Sequence, residues 1–202
     1  QNAYRAGKLT GEELSALGVN FDLAPDLDVN SNRQNVVIGV RSYGETPQTV
    51  ADYGVAMSRG LQAGGVLSCG KHFPGHGDTA VDSHLGLPLV DKSLDALEQC
   101  ELIPFRAAID ADIDAIMTTH ILFPQLEKEK VPATMSRAIM TGLLREKLGF
   151  KGLIISDCMM MGAIQKYYGT IPGCIAACKA GVDMVIISHD AALAGQTAEA
   201  LY

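Results

Sequence analysis

The chain has 202 residues, is 48% hydrophobic and carries a formal net charge of −7. That is enough apolar material for one sizeable core, and the wrong sign of charge for binding nucleic acid or an anionic membrane surface. No apolar run approaches the roughly 20 residues that a membrane helix needs, and the first residues lack a signal-peptide pattern. The five cysteines, at 69, 100, 158, 174 and 178, lack the close pairing of a metal site. Cys174 and Cys178 read as small buried hydrophobes, and unpaired thiols suit a reducing compartment, which points to the cytoplasm.

In chain order, Ala3, Ala6, Leu9, Leu14 and Leu17 recur at near-helical spacing, and Gly18 suits the cap that ends such a helix. Val19 to Leu27 reads as a strand. Thr46-Pro47 opens the next helix as N-cap and first-turn proline, with Val50, Val55 or Met57, and Leu61 on its buried side. Gly64-Gly65 stops it, and an apolar run from Gly65 forms a strand ending at Lys71-His72. Ser93 to Glu101 and Pro104 to about Ala111 read as helices, and Ala115 to His120 as a short buried strand. A helix capped by Ser136 ends at Gly149. Leu153 to Ser156 is a strand running into Asp157, Pro172 to Ala180 a helix, and Asp183 to Ser188 a fifth strand before a last, alanine-rich helix.

Alternating helices and wholly apolar strands mean a parallel sheet covered by helices. Reactive residues fall at four successive strand ends: Lys71 with His72, His120, Asp157, and His189 with Asp190. In a (β/α) barrel of TIM type those ends converge on one mouth. The densest stretch is residues 71 to 84, Lys-His-Phe-Pro-Gly-His-Gly-Asp-Thr-Ala-Val-Asp-Ser-His, with three His, two Asp and a Lys. A packed core has no use for such a cluster, whereas a loop at a strand's carboxyl end does. Asp157 would point its carboxylate into the mouth, unless it is the N-cap of the following helix.

This stretch closely resembles the signature of the β-N-acetylglucosaminidases of glycoside hydrolase family 3, the NagZ-like enzymes. Gly152-Leu-Ile-Ile-Ser-Asp157-Cys-Met-Met-Met161 is similar to the family's nucleophile strand, and Asn20 to Pro25 with Ile38-Gly-Val-Arg41-Ser42 is a third match in family order. The resemblance covers nearly the whole chain. It implies a TIM-type barrel of which about five of eight β/α units are present, in a single domain over residues 1–202. The fourth to eighth strands would be here, and three units would precede Gln1, among them the family's Asp-Gln-Glu-Gly-Gly strand. Either the chain is then a fragment, or a partner segment or a second copy of the chain closes the barrel.

The resemblance further implies Asp157 as the nucleophile of a retaining glycosidase and His84 as its general acid/base, assisted by Asp82. An imidazole suits that task because its pKa lies near neutrality and a neighbouring carboxylate sets its tautomer. Arg41, Lys71 and His72 match substrate-binding positions, and His120 is a further candidate, divided equally between packing and sugar contact. His76 and Asp78 shape the loop; for Asp26 and Asp28, ligand contact and loop brace both stay open. No cofactor and no metal are implied. The expected activity is removal of terminal β-linked N-acetylglucosamine, with peptidoglycan fragments as a source of it. Four alternatives stand beside it: a phosphorylase or β-glucosidase of the same family, a metal-dependent barrel hydrolase, and an inactive fragment.

Overall fold

The computed structural model describes residues 1–79 and 87–202, among which five parallel strands form a curled half-barrel with helices on its outer face. Their order in the sheet is their order in the chain. The strands are β1 (Phe21–Asp22), β2 (Leu67–Phe73), β3 (Ala115–Thr118), β4 (Leu153–Cys158) and β5 (Met184–Ile186). The helices are α1 (Asn2–Ala16), α2 (Pro47–Ala63), α3 (Leu94–Glu98), α4 (Leu102–Asp110), α5 (Gly162–Gln165), α6 (Thr170–Ala180) and α7 (Ala191–Leu201), with a π-helix at Ala138–Lys147.

Both faces of the sheet are apolar, as parallel strands require. One face packs Ile116 of β3 and Ile154 of β4 against Leu97, Phe105, Ile139 and Met140 of the outer helices. The other gathers Cys69, Ala115, Met117 and Ile155, the strand neighbours of opposite pleat, into the small cluster that fills the barrel interior. Leu67 on β2 and Met184 on the edge strand β5 stay half exposed at 51% and 47%. Of the two, only Met184 lies on a strand that is unpaired on one side, the kind of edge that folded proteins cover or blunt.

Several boundaries differ from the sequence expectation for identifiable reasons. The strand expected over Val19 to Leu27 reduces to Phe21–Asp22, although the chain stays beside β2. The Cys69 N–H donates to the Ala24 carbonyl at 2.7 Å, the Lys71 N–H donates to the Pro25 carbonyl at 3.1 Å, and Asp26 bridges to Lys71. Pro25 has no N–H to return a bond and so interrupts the ladder. Helix α1 spans the expected residues, but Leu9 and Leu17 are exposed and its buried face is Gly7 and Gly11. A Cβ added at Gly60 of α2 would lie 2.3 Å from the Tyr4 carbonyl, so the two helices meet backbone to backbone and leave no room for leucines. The 93–101 helix stops at Glu98. The helix expected from Ser136 does form, over Ala138–Lys147, and the Ser136 hydroxyl just ahead of it accepts from the Ile139 N–H at 3.2 Å, but the winding is π rather than α. Thr46 caps α2 and Asp190 caps α7, each accepting a backbone N–H three residues on.

The register of the sheet breaks at two places, between Gly70 and Phe73 on β2 and between Ile155 and Cys158 on β4. These intervals contain Lys71-His72 and Asp157. Irregular strand ends re-aim side chains, and here they do so at the residues that carry chemistry.

Candidate active site

The carboxyl ends of β1 and β2 are joined by one buried carboxylate. Asp28 is fully buried; its Oδ2 accepts from His72 Nδ1 at 2.7 Å and from the His72 backbone N–H, and its Oδ1 accepts the His76 N–H at 2.6 Å. A carboxylate only accepts, so Nδ1 of His72 carries the proton and Nε2 presents a lone pair. Burial lowers the His72 pKa to about 4, and its ring is neutral at physiological pH. Asp28 is thus a brace, although burial pushes its own pKa up. His76 is also buried, with Nδ1 2.8 Å from the Thr79 hydroxyl. The expected shaping role of His76 fits this placement. The clue to Asp28 was two acids spaced two residues apart directly after a strand, Asp26 and Asp28.

Arg41 ends the short 3-10 turn Gly39–Arg41 and reaches over the same strand ends. Its Nη2 lies 3.5 Å from His72 Nε2 and 3.5 Å from Asp26 Oδ2. Asp26 is buried, and burial followed by the Asp28 charge raises its pKa from 3.8 to about 7. The folded state therefore holds this proton between pH 3.8 and 7 where the unfolded chain has released it, and wild-type stability falls as pH rises through that window. Asp26→Asn removes the titration. Its stability relative to wild type is expected to improve from pH 4.5 to pH 8 by about 3 kcal/mol, at about 1.4 kcal/mol per pKa unit. Denaturant midpoints of both proteins at the two pH values check it, and parallel curves would refute it.

Asp157 lies on β4 rather than beyond it. It does not cap a helix: α5 begins at Gly162 with Met161 as its N-cap. Its Oδ1 accepts the N–H of Cys158 at 2.7 Å. Burial would raise its pKa, but His72, His120, the Cys158 N–H and the Lys71 ammonium outweigh that and hold the carboxyl below its usual range. An ionised carboxylate surrounded by the ends of β2 and β3 is what attack on an electrophilic carbon needs. Lys71, half-buried, supplies the fixed positive charge of this group.

His120 is placed otherwise than a sugar contact requires. It is buried, with Nδ1 2.8 Å from the Thr134 hydroxyl and Nε2 3.1 Å from the Cys158 carbonyl. Burial lowers its pKa. Nε2 donates to the carbonyl and Nδ1 is paired with the Thr134 hydroxyl, so both nitrogens are engaged in tying β3 to the residue after Asp157. Of the two readings left open by the sequence, the geometry favours packing.

Asp82 and His84 lie outside the described residues. On the near side of that segment is Asp78, and on the far side Lys92, whose Nζ lies 3.0 Å from Asp78 Oδ2 and 2.6 Å from Glu101 Oε1. Sequence reasoning missed Lys92 and Glu101. A buried glutamate between two short helices carries no motif, and only its burial next to the Pro74-Gly75 turn marks it.

The fold and site together define the curled half of a parallel α/β barrel of TIM type, with an aspartate and histidines gathered at the carboxyl ends of its strands. Residues 1–201 match the Glycosyl hydrolase family 3 N terminal domain, and the chain belongs to that family. It is 44% identical to the beta-hexosaminidase A of Pseudoalteromonas piscicida over 92% of this chain and 33% of that protein. Among solved structures, it superimposes on a glycoside hydrolase family 3 beta-N-acetylglucosaminidase from Paenibacillus sp. str. FPU-7 with a TM-score of 0.97 and 48% identity. That match covers 98% of this chain and 38% of that one. NagZ from Neisseria gonorrhoeae, solved in complex with N-trifluoroacetyl-D-glucosamine, gives a TM-score of 0.86 and 38% identity, covering 96% of this chain and 55% of that one. The chain thus spans about a third to a half of the length of these relatives. No helix among the described residues is long and apolar enough to cross a membrane.

Proposed function

We propose that the chain forms part of a retaining exo-β-N-acetylglucosaminidase that hydrolyses terminal β-linked N-acetylglucosamine. Residues 1–202 would be a single domain within the barrel, completed by a partner segment or a second copy. Asp157 attacks the anomeric carbon as the glycosidic C–O bond breaks, and His84, oriented by Asp82, protonates the leaving oxygen. Water then attacks the glycosyl ester from the face the leaving group vacated, giving its proton to His84, and Asp157 is released. Arg41, Lys71 and His72 hold the sugar hydroxyls. Peptidoglycan fragments are the proposed natural source and the cytoplasm the proposed compartment, the latter supported by five unpaired thiols.

The observation that carries this reading is the environment of Asp157: a carboxylate kept below its usual range at the end of β4, beside Lys71 and the ends of β2 and β3, in a chain whose relatives are named for N-acetylglucosamine chemistry. Initial rates on the 4-nitrophenyl glycosides of β-N-acetylglucosamine and β-glucose test it, with the first expected to exceed the second at least about a hundredfold in kcat/KM, since a site built to hydrogen-bond a substrate group rejects its analogue strongly. Equal rates would discard the N-acetylhexosamine assignment. Formation of glucosamine 1-phosphate derivatives in phosphate buffer would replace the hydrolase by a phosphorylase.

A further inference from the structure

The end of β1 carries one acid that the proposed mechanism leaves without a task. Asp26 is fixed on both sides by the β2 strand: Leu27 N–H donates to the Lys71 carbonyl at 2.6 Å, and Lys71 N–H donates to the Pro25 carbonyl at 3.1 Å. Its Oδ1 accepts the N–H of Asp28 at 3.0 Å, which sets the plane of the carboxylate. Its Oδ2 is inaccessible and has no hydrogen-bond partner among the described residues. A buried carboxylate oxygen left in that state is costly unless a charge sits beside it. The neighbouring charge is the Arg41 guanidinium, with Nη2 3.5 Å away, and above about pH 7, where Asp26 has lost its proton, the two form an ion pair.

Arg41 needs the acid as much as the acid needs it. It lies on a three-residue turn beside the fully exposed Val40, so its own element gives it little packing. Its one backbone contact is a long bond from Nη1 to the Val37 carbonyl at 3.3 Å, and its side chain is 42% exposed. A guanidinium has five N–H groups, and the contacts to Val37, His72 and Asp26 among the described residues do not use them all. The same Nη2 lies 3.5 Å from His72 Nε2, the lone pair that Asp28 turns outward.

We infer that Asp26 is a positioning residue. It is the buried counter-ion that turns the Arg41 guanidinium across the sugar site, where Nη2 is held against His72 Nε2 and the remaining N–H groups are set to donate to a sugar hydroxyl. This rests on the glycosidase reading given above. Asp26 does not touch the sugar, because Oδ2 is sealed from solvent. Oxygens of Asp26 and Asp28 and a ring nitrogen of His72 do lie within 4.8 Å of one another, close enough for a metal. Yet Asp28 already accepts three N–H bonds, and a guanidinium stands at the remaining oxygen. The cation of this cluster is Arg41.

The test is a cycle of Asp26→Ala, Arg41→Ala and the double variant, assayed on an aryl β-N-acetylglucosaminide and its monodeoxy analogues. Asp26→Ala is expected to raise KM about tenfold with a smaller change in kcat, the scale of one hydrogen bond to a charged group. The double variant should lose no more than Arg41→Ala alone, and the same deoxy analogue should erase the penalty of each single variant. If the losses multiply, or if different analogues erase them, Asp26 does not act through Arg41. Should Asp26→Ala fold poorly by circular dichroism, the isosteric Asp26→Asn replaces it, and an unchanged KM in that variant overturns the inference. Activity removed by chelation and restored by Zn²⁺ would overturn it too. Asp157→Asn is assayed alongside: if it alone keeps full turnover the glycosidase reading fails, whereas a dead Asp157→Asn beside a wild-type-like Asp26 variant rejects only the role of Asp26.

Discussion

Asp157→Asn is expected to reduce kcat/KM on an aryl β-N-acetylglucosaminide by a factor on the order of 10⁴, the scale seen when a residue of a catalytic unit is removed. The amide keeps the shape and the acceptor for the Cys158 N–H, so the fold should be unaffected and only the attacking charge is lost. A sharper version uses Asp157→Ala with azide. The small anion enters the space of the missing carboxylate, forms a C–N bond at the anomeric carbon as the glycosidic C–O bond breaks, and leaves an α-glycosyl azide. A product of inverted configuration assigns the attacking face to Asp157. A β-glycosyl azide, or an Asn variant with normal turnover, would remove Asp157 from the nucleophile position.

The order of strands and the placement of Asp157 were legible in the sequence because both follow from short-range rules. Apolar runs of four to seven residues separated by capped helices leave little choice but a parallel sheet, and a residue at the end of such a run has one side of the sheet to face. What stayed hidden depended on neighbours distant in sequence. The glycine face of α1 could not be told from the leucine face, because glycine has no hydropathy signal and its use here is close approach to α2. For His120, packing and sugar contact weighed equally until Thr134 and the Cys158 carbonyl, 14 and 38 residues away, were seen on its two nitrogens. Asp26 and Asp28 read alike as acids after a strand; one turned out to accept three N–H bonds and the other to keep a bare oxygen under an arginine.

The second large effect falls on stability. Glu101 is 1% exposed, its side chain wedged under Gly75, where an added Cβ would come within 2.8 Å of it. Oε1 receives Lys92 Nζ at 2.6 Å, while Oε2 has no partner among the described residues. Burial lowers the Lys92 pKa, but the bonds to Glu101 and Asp78 outweigh it and the net direction is up, as for an ammonium that two carboxylates hold in place. Lys92→Met keeps the length and most of the apolar contact of the stem and removes the counter-charge that Glu101 has among the described residues. Breaking a buried pair from one side costs about 3–5 kcal/mol because the other charge stays behind. At about 2–4 °C per kcal/mol for a domain of this size, Tm should fall by roughly 10 °C. Adding Glu101→Gln removes the stranded charge, so the double variant should melt above Lys92→Met alone, an ordering that simple loss of packing would not produce. A Lys92→Met protein that melts within 2 °C of wild type, or a double variant that melts below the single, would show that Glu101 does not depend on Lys92 and that the turn at Gly75 is held by other contacts.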